Sequence, residues 1–231
     1  MPELAAAVLV LDTATPAVTA AVVRVCARTV ELVSAQVSDP ASTGARRHGE
    51  LLASSMAAAL AAAGLAAGDL AAVVVGTGPG PFTGLRVGLV TAAAFADALS
   101  IPAYGVCSLD GLGGALSGRV LAVTDARRRE VYWAAYDGGA RIAGPAVDRP
   151  AEVADAARAL GVELACGAGA RQYAEVLGLP VTGPASPDPV ALVDVAAERV
   201  RAGAPADPLS PLYLRHPDAV EPGRPKAVTP A

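Results

Sequence analysis

The sequence predicts an α/β protein of two related lobes, and three observations carry that prediction. The first is a series of short β-branched runs set between longer segments with apolar residues at helical spacing. The second is an internal rhyme. A strand ends at Asp12 and its return strand opens at Val18; a strand ends at Asp125 and its return strand opens at Val131. Each half thus begins with a β-hairpin carrying an acidic residue in its turn. The third is composition: 231 residues, 53% apolar, 3% aromatic and 17% charged. That length supports a sizeable core, and with alanine about a quarter of the chain the core must be built from small and β-branched side chains.

The elements follow in order. Ala5 to Leu11, Val18 to Val25 and Thr29 to Val37 read as three strands, and Ser38 to Arg47 as a loop. From His48, apolar residues at Leu51, Leu52, Met56, Ala59, Leu60 and Ala63 predict a helix that ends at Gly64 to Asp69. Leu70 to Val75 is a core strand, Gly76 to Gly80 a turn, and Pro81 suits the first position of a helix running to about Leu99. Ala103 to Val106 is a strand, followed by a short helix or loop through Ser108 to Leu116. In the second half, strands are expected at Val120 to Thr124 and Val131 to Asp137. A helix follows around Glu152 to Leu160, then a strand at Val162 to Cys166, a turn at Gly167 to Gly169 and a helix from Pro189 to Arg201. Residues 216–231 are Pro-rich and apolar-poor, and read as a disordered tail. Three strands, a helix, a strand and a helix, repeated with erosion, is the plan of the actin-like (ASKHA) duplicated fold: two lobes, each a mixed β-sheet flanked by helices. The expected lobes are residues 1–117 and 118–215.

Several function classes are excluded early. Lys+Arg number 18 against 22 Asp+Glu, a net charge of -4, which argues against autonomous nucleic-acid binding. The longest charge-free run, Leu51 to Gly68, is mostly alanine and too weakly apolar to favour a membrane. No basic leader segment precedes the first strand. Three dispersed cysteines (Cys26, Cys107, Cys166) and two histidines (His48, His216) offer neither a disulfide framework nor a metal site, and a reducing cytoplasm fits.

The segment Gly76 to Gly88 is a strand–turn–helix junction rich in glycine. It reads either as an anion site at a helix N-terminus or as a tight turn that lets the helix approach the sheet. It is not a P-loop, because no Gly-Lys-Ser/Thr follows at the required spacing, and Thr83 stands where a dinucleotide fingerprint needs its third glycine.

The block Gly78-Pro79-Gly80-Pro81-Phe82-Thr83-Gly84-Leu85-Arg86-Val87-Gly88 resembles the signature of the TsaB (YeaZ) family. So do Leu11-Asp12-Thr13, Arg47-His48-Gly49-Glu50-Leu51-Leu52, Asp125-Ala126-Arg127 with Glu130-Val131-Tyr132, and Pro211-Leu212-Tyr213-Leu214-Arg215. The resemblance implies the actin-like two-lobe fold and a non-catalytic dimerisation or scaffold subunit, required for N6-threonylcarbamoyladenosine formation at tRNA position 37. It implies a TsaD-like transferase as partner and a TsaE-like ATPase alongside, with tRNA met only through the complex and a homodimer open to it when the partner is absent. No intrinsic cofactor is implied; ATP or ADP would sit only at an interface with the partner. Pro81 and Gly49 replace serines common in the family, and Pro81 removes a hydroxyl and an N–H that could meet a phosphate.

Residue by residue, Asp12, Thr13, Gly78, Gly80, Thr83 and Asp125 form a candidate vestigial nucleotide site or interface loop. No catalytic or metal-binding residue is expected. The competing reading is an active actin-like, ATP-dependent phosphotransferase using Asp12 and Asp125. His48 has no second ligand four residues away on either side, since Gly44 and Leu52 stand there, and reads as structural. Arg127-Arg128-Arg129 is a charged hairpin turn, either solvated or a tRNA or partner contact.

The two long helices carry the interface expectation. Leu51 to Ala63 has no charged residue, and Val87 to Leu99 has only Asp97. A helix apolar all round is covered on both sides. The expected partner interface is Ala53, Ala57 and Ala61 on the first helix and the small-residue seam Gly84, Gly88, Ala92 and Ala96 on the second.

Overall fold

A computed structural model of the chain describes residues 5–38 and 48–215. In chain order the elements are β1 (Ala6–Asp12), β2 (Thr19–Val25), β3 (Val30–Val37), α1 (His48–Ala63), β4 (Leu70–Gly76), α2 (Phe82–Leu99), β5 (Ala103–Val106) and α3 (Asp110–Gly113). They continue as β6 (Arg119–Asp125), β7 (Val131–Asp137), β8 (Ala140–Asp148), α4 (Pro150–Ala159), β9 (Leu164–Cys166), α5 (Ala168–Gln172), α6 (Ala174–Leu177) and α7 (Pro189–Arg201). The expected tail 216–231, most of the Ser38 to Arg47 loop and the side chain of His48 lie outside the described residues.

The strands form two sheets, ordered β3-β2-β1-β4-β5 and β8-β7-β6-β9. The central hairpins match: Asp12 pairs with Thr19 at the end of β1, and Asp125 pairs with Val131 at the end of β6. In each sheet the first strand then pairs in parallel with the strand after the helix, β1 with β4 and β6 with β9. The second sheet is therefore the first without its fifth strand. Strand β8 is an addition to the sequence reading. Its Gly144-Pro145 step interrupts the alternation of a strand, and an edge strand tolerates this because its outer N–H groups need no ladder partner.

The first sheet is covered on both faces. On one, Leu52 and Met56 of α1 and Leu89, Ala92 and Ala96 of α2 pack against Leu9, Leu11, Val73 and Val75. On the other, Leu192, Val193, Ala196 and Ala197 of α7 pack against Val8, Val10, Val23 and Val74. Helix α7 starts sharply, because the Asp188 carboxylate accepts the N–H groups of Val190 and Ala191 at 2.9 and 3.0 Å and Pro189 follows it. The expected division at residue 118 therefore needs correction. Helix α7 belongs to the 118–215 segment but covers the first sheet, and the chain after it runs along β5, with the N–H of Asp207 donating to Ala103 at 3.0 Å. Conversely, Leu109 and Leu112 at α3 join the core of the second sheet with Val120, Ala122 and Tyr136. The two lobes exchange elements because each sheet has two apolar faces and its own segment covers only one.

Helix α2 is long and apolar enough to cross a membrane by length and composition. Its inner residues Gly84, Leu85, Gly88, Leu89, Ala92 and Ala96 are instead buried within the fold.

Candidate functional site

The turn after β1 and the glycine-rich turn after β4 pack directly on one another. Asp12 is buried, with 1% of its surface exposed. One carboxylate oxygen accepts the N–H of Ala14 at 2.9 Å, and the other accepts the Ser108 hydroxyl at 2.5 Å. Ser108 in turn accepts the N–H of Gly78 at 3.1 Å. The Thr13 hydroxyl donates to the Gly84 carbonyl at 2.7 Å. Glycine is required along this seam by proximity: a Cβ on Gly76 would lie 1.8 Å from the Asp12 carboxylate, and one on Gly80 would lie 2.2 Å from the Ala14 carbonyl.

This geometry brings Asp12, Thr13, Gly78 and Gly80 together, packed around each other. An actin-like fold implies a nucleotide, and here the polar groups of the two turns engage each other. The Asp12 carboxylate is turned inward onto Ser108, and Gly80 is pressed against Ala14. Of the two readings of Gly76 to Gly88, the geometry supports close helix–sheet approach. Pro81 precedes the helix as its cap residue, and Phe82 is the first helical residue. Thr83 is exposed on the first turn of α2.

Asp125 stands elsewhere. It lines a cleft of ≈ 330 Å³ between the two lobes, with Gly80, Pro81 and Phe82 on one side and Ala126, Arg127, Tyr132 and the 213–215 segment on the other. Its carboxylate accepts the N–H of Arg127 at 3.1 Å and lies 3.7 Å from that residue's guanidinium. Burial, and then the nearby Asp125 charge, push the Tyr132 phenol up, so it stays neutral.

The small-residue seam of α2 corrects the interface expectation. Gly84, Gly88, Ala92 and Ala96 are all buried inside the chain. A Cβ on Gly88 would lie 2.3 Å from the Thr13 hydroxyl and one on Gly84 2.6 Å from the Thr13 carbonyl, so the seam is where α2 meets the β1–β2 turn. Ala53, Ala57 and Ala61 are exposed on the outer side of α1.

Residues that spacing alone does not reveal complete the cleft. Phe82 and Tyr213 stack with centroids 5.1 Å apart. The Arg86 guanidinium lies 3.8 Å over the Phe82 ring, and its Nε donates to the Tyr213 hydroxyl at 3.0 Å. Arg215 pairs with Glu130. Phe82 and Arg86 stand one helical turn apart, the one local signal of this cluster. Cys107 and Cys166 are buried, which pushes their thiols up to about 11 and about 12, away from nucleophilic use.

The sheet orders, the shared hairpins and the packed turns define an actin-like two-lobed protein. Solved structures agree. One described as YeaZ from Pseudomonas aeruginosa is 26% identical with a TM-score of 0.73, covering 90% of this chain and 100% of that one. Another, an uncharacterized protein described as similar to the peptidase YeaZ from Pseudomonas aeruginosa, is 28% identical with a TM-score of 0.72 over 91% of this chain and 100% of that one. A family model described as "TsaD: tRNA N6-adenosine threonylcarbamoyltransferase" matches residues 40–185. An uncharacterized Mycobacterium tuberculosis protein is 51% identical over 212 residues, 92% of this chain and 93% of its own length. The Escherichia coli tRNA threonylcarbamoyladenosine biosynthesis protein TsaB is 44% identical over 73 residues, 29% of this chain and 32% of that protein. The chain belongs to the TsaB (YeaZ) family.

Proposed function

We propose that the chain is a non-catalytic scaffold subunit for N6-threonylcarbamoyladenosine formation at tRNA position 37, and that it binds a TsaD-like transferase through the outer faces of α1 and α2. Family membership supports the pathway. The observation that carries the binding mode is the surface of these two helices. From Ala53 to Ala62 every exposed residue of α1 is alanine or Ser54, and on α2 the exposed residues between Arg86 and Asp97 are Val90, Ala93 and Ala94. Val90 is 66% exposed. A helix facing water carries a polar stripe, and a contiguous apolar face of two adjacent helices fits a partner surface. A TsaE-like ATPase and tRNA join through the complex in the cytoplasm, and any ATP or ADP is held where the partner meets this chain. The competing phosphotransferase reading finds no support in the geometry, since Asp12 is engaged by Ser108 and only Asp125 reaches the cleft.

Co-purification with a TsaD homologue tests the proposal. Ala57→Arg and Val90→Arg should leave a folded protein by circular dichroism. Both should abolish co-elution, because a charge desolvated without a counter-ion costs about 3–5 kcal/mol. Undiminished co-elution would overturn the proposal, and ATP turnover lost in Asp12→Ala would restore the phosphotransferase.

A further inference from the structure

After α7 the chain returns to the cleft between the lobes, and residues 204–215 do so without a helix or strand. This segment starts on the first lobe. The N–H of Asp207 donates to Ala103 at 3.0 Å, and Leu209 packs against the core that α1 and α2 share with the first sheet. It is pinned again at Thr77, whose carbonyl accepts the Leu212 N–H at 2.8 Å. From there successive side chains go to different lobes. Leu212 and Leu214 pack on the core of the second sheet. Tyr213 turns to α2, where it stacks on Phe82 and accepts the Arg86 Nε hydrogen at 3.0 Å. Arg215 pairs with Glu130, which ends the turn between β6 and β7.

Four residues thus grip both sides of the cleft, and residues 213–215 are part of its wall. The grip is only half buried. Tyr213 is 41% exposed, and the side chains of Arg215 and Glu130 are 23% and 34% exposed. Contacts of this kind open without the sheets unfolding, because little apolar surface is uncovered and water takes up the polar groups. The sheets differ: Val10 and Val74 in the first and Leu121 and Val123 in the second are fully buried.

We propose that residues 212–215 are an interlobe strap that opens and closes the cleft, rooted on the first lobe at Thr77 and α2 and latched on the second by Arg215 on Glu130. Closed, it helps to wall a space of ≈ 330 Å³; released, it widens the mouth between Pro81 and Asp125. The latch is an ion pair, so screening by salt loosens it. The strap operates within one chain and needs no partner, so it stands or falls apart from the scaffold reading.

The protein carries its own reporter of this motion. Cys107 follows β5 of the first sheet yet packs in the core of the second, and is 7% exposed. Cys166 lies in the same core but within β9, paired with Ala122 of β6. Parting the lobes draws Cys107 out of cover and leaves Cys166 in place.

Site-resolved alkylation of the full chain by N-ethylmaleimide, read by mass spectrometry, tests this. Arg215→Glu sets two carboxylates against each other and should speed Cys107 modification about tenfold, with Cys166 unchanged. Adding Glu130→Arg restores the pair in reverse and should return Cys107 to the wild-type rate. Tyr213→Ala frees the root and should speed Cys107 about fivefold. Added salt should speed Cys107 in the wild type and slow it in Arg215→Glu, because screening weakens an attraction in one and a repulsion in the other. An unchanged Cys107 rate in Arg215→Glu, no recovery in the reversed pair, or Cys166 rising in step with Cys107, the mark of global unfolding, would each overturn the strap.

Discussion

Asp12 and Asp125 occupy the same place in the two halves, at the end of the first strand and opposite the first residue of its return strand. Their surroundings differ completely. Asp12 is 1% exposed and bonded to Ser108 and Ala14, with α2 lying against the adjoining Thr13. Asp125 is partly open, lines the cleft and bonds only within its own turn among the contacts described above. One copy of a repeated hairpin has become core while the other remains surface. The difference shows that a residue's position in a duplicated plan does not fix its role; the element packed on top of it does.

The sharpest way to break this comparison is to push α2 off the first turn. Gly88→Val places a branched side chain where a single Cβ already meets the Thr13 hydroxyl at 2.3 Å. It should destabilise the fold by about 3 kcal/mol or more in urea unfolding. Arg127→Ala in the second turn should change stability by less than about 0.5 kcal/mol, since it loses only an exposed ion pair. Next in size, Asp12→Ala strands the Ser108 hydroxyl and the Ala14 N–H in the interior and should cost about 2–4 kcal/mol. Asp125→Ala should cost under about 1 kcal/mol, and equal losses for the two aspartates would dissolve the contrast. The smallest effect has the opposite sign. Arg129→Gly releases a left-handed residue at φ 61° and should stabilise the protein by about 0.5–1 kcal/mol, read as a rise in melting temperature.

Much of this was legible in the sequence, for local reasons. The strands β1, β2 and β7 and the helices α1, α2 and α7 fall within a residue or two of where periodicity, proline and glycine put them. The inward stripe Leu52 and Met56 and the outward Ala53, Ala57 and Ala61 of α1 also follow from spacing. What failed was orientation where size gave no contrast. Gly84, Gly88, Ala92 and Ala96 read equally well as an outer or inner seam, because smallness marks close approach without saying to what. The contacts that decide it, Thr13 on Gly84 and Gly88, join residues more than 70 apart in the chain. The Arg86–Tyr213 bond spans 127 positions, and the Asp12–Ser108 bond 96. No local pattern reports such pairs. The Gly-Pro step hides strand β8, and chain order alone places α7 with the lobe that precedes it.

That last element has a consequence for how the protein is made. A ribosome releases the five strands of the first sheet before it reaches Val120, but the helix that seals the Val8, Val10, Val23 and Val74 face begins only at Pro189. Throughout synthesis of the second lobe, a nascent chain therefore carries one bare apolar sheet face. Completion of the first lobe waits on a helix translated after the strands of the second sheet, which exposes the unfinished chain to chaperone capture and makes early truncation products prone to aggregate.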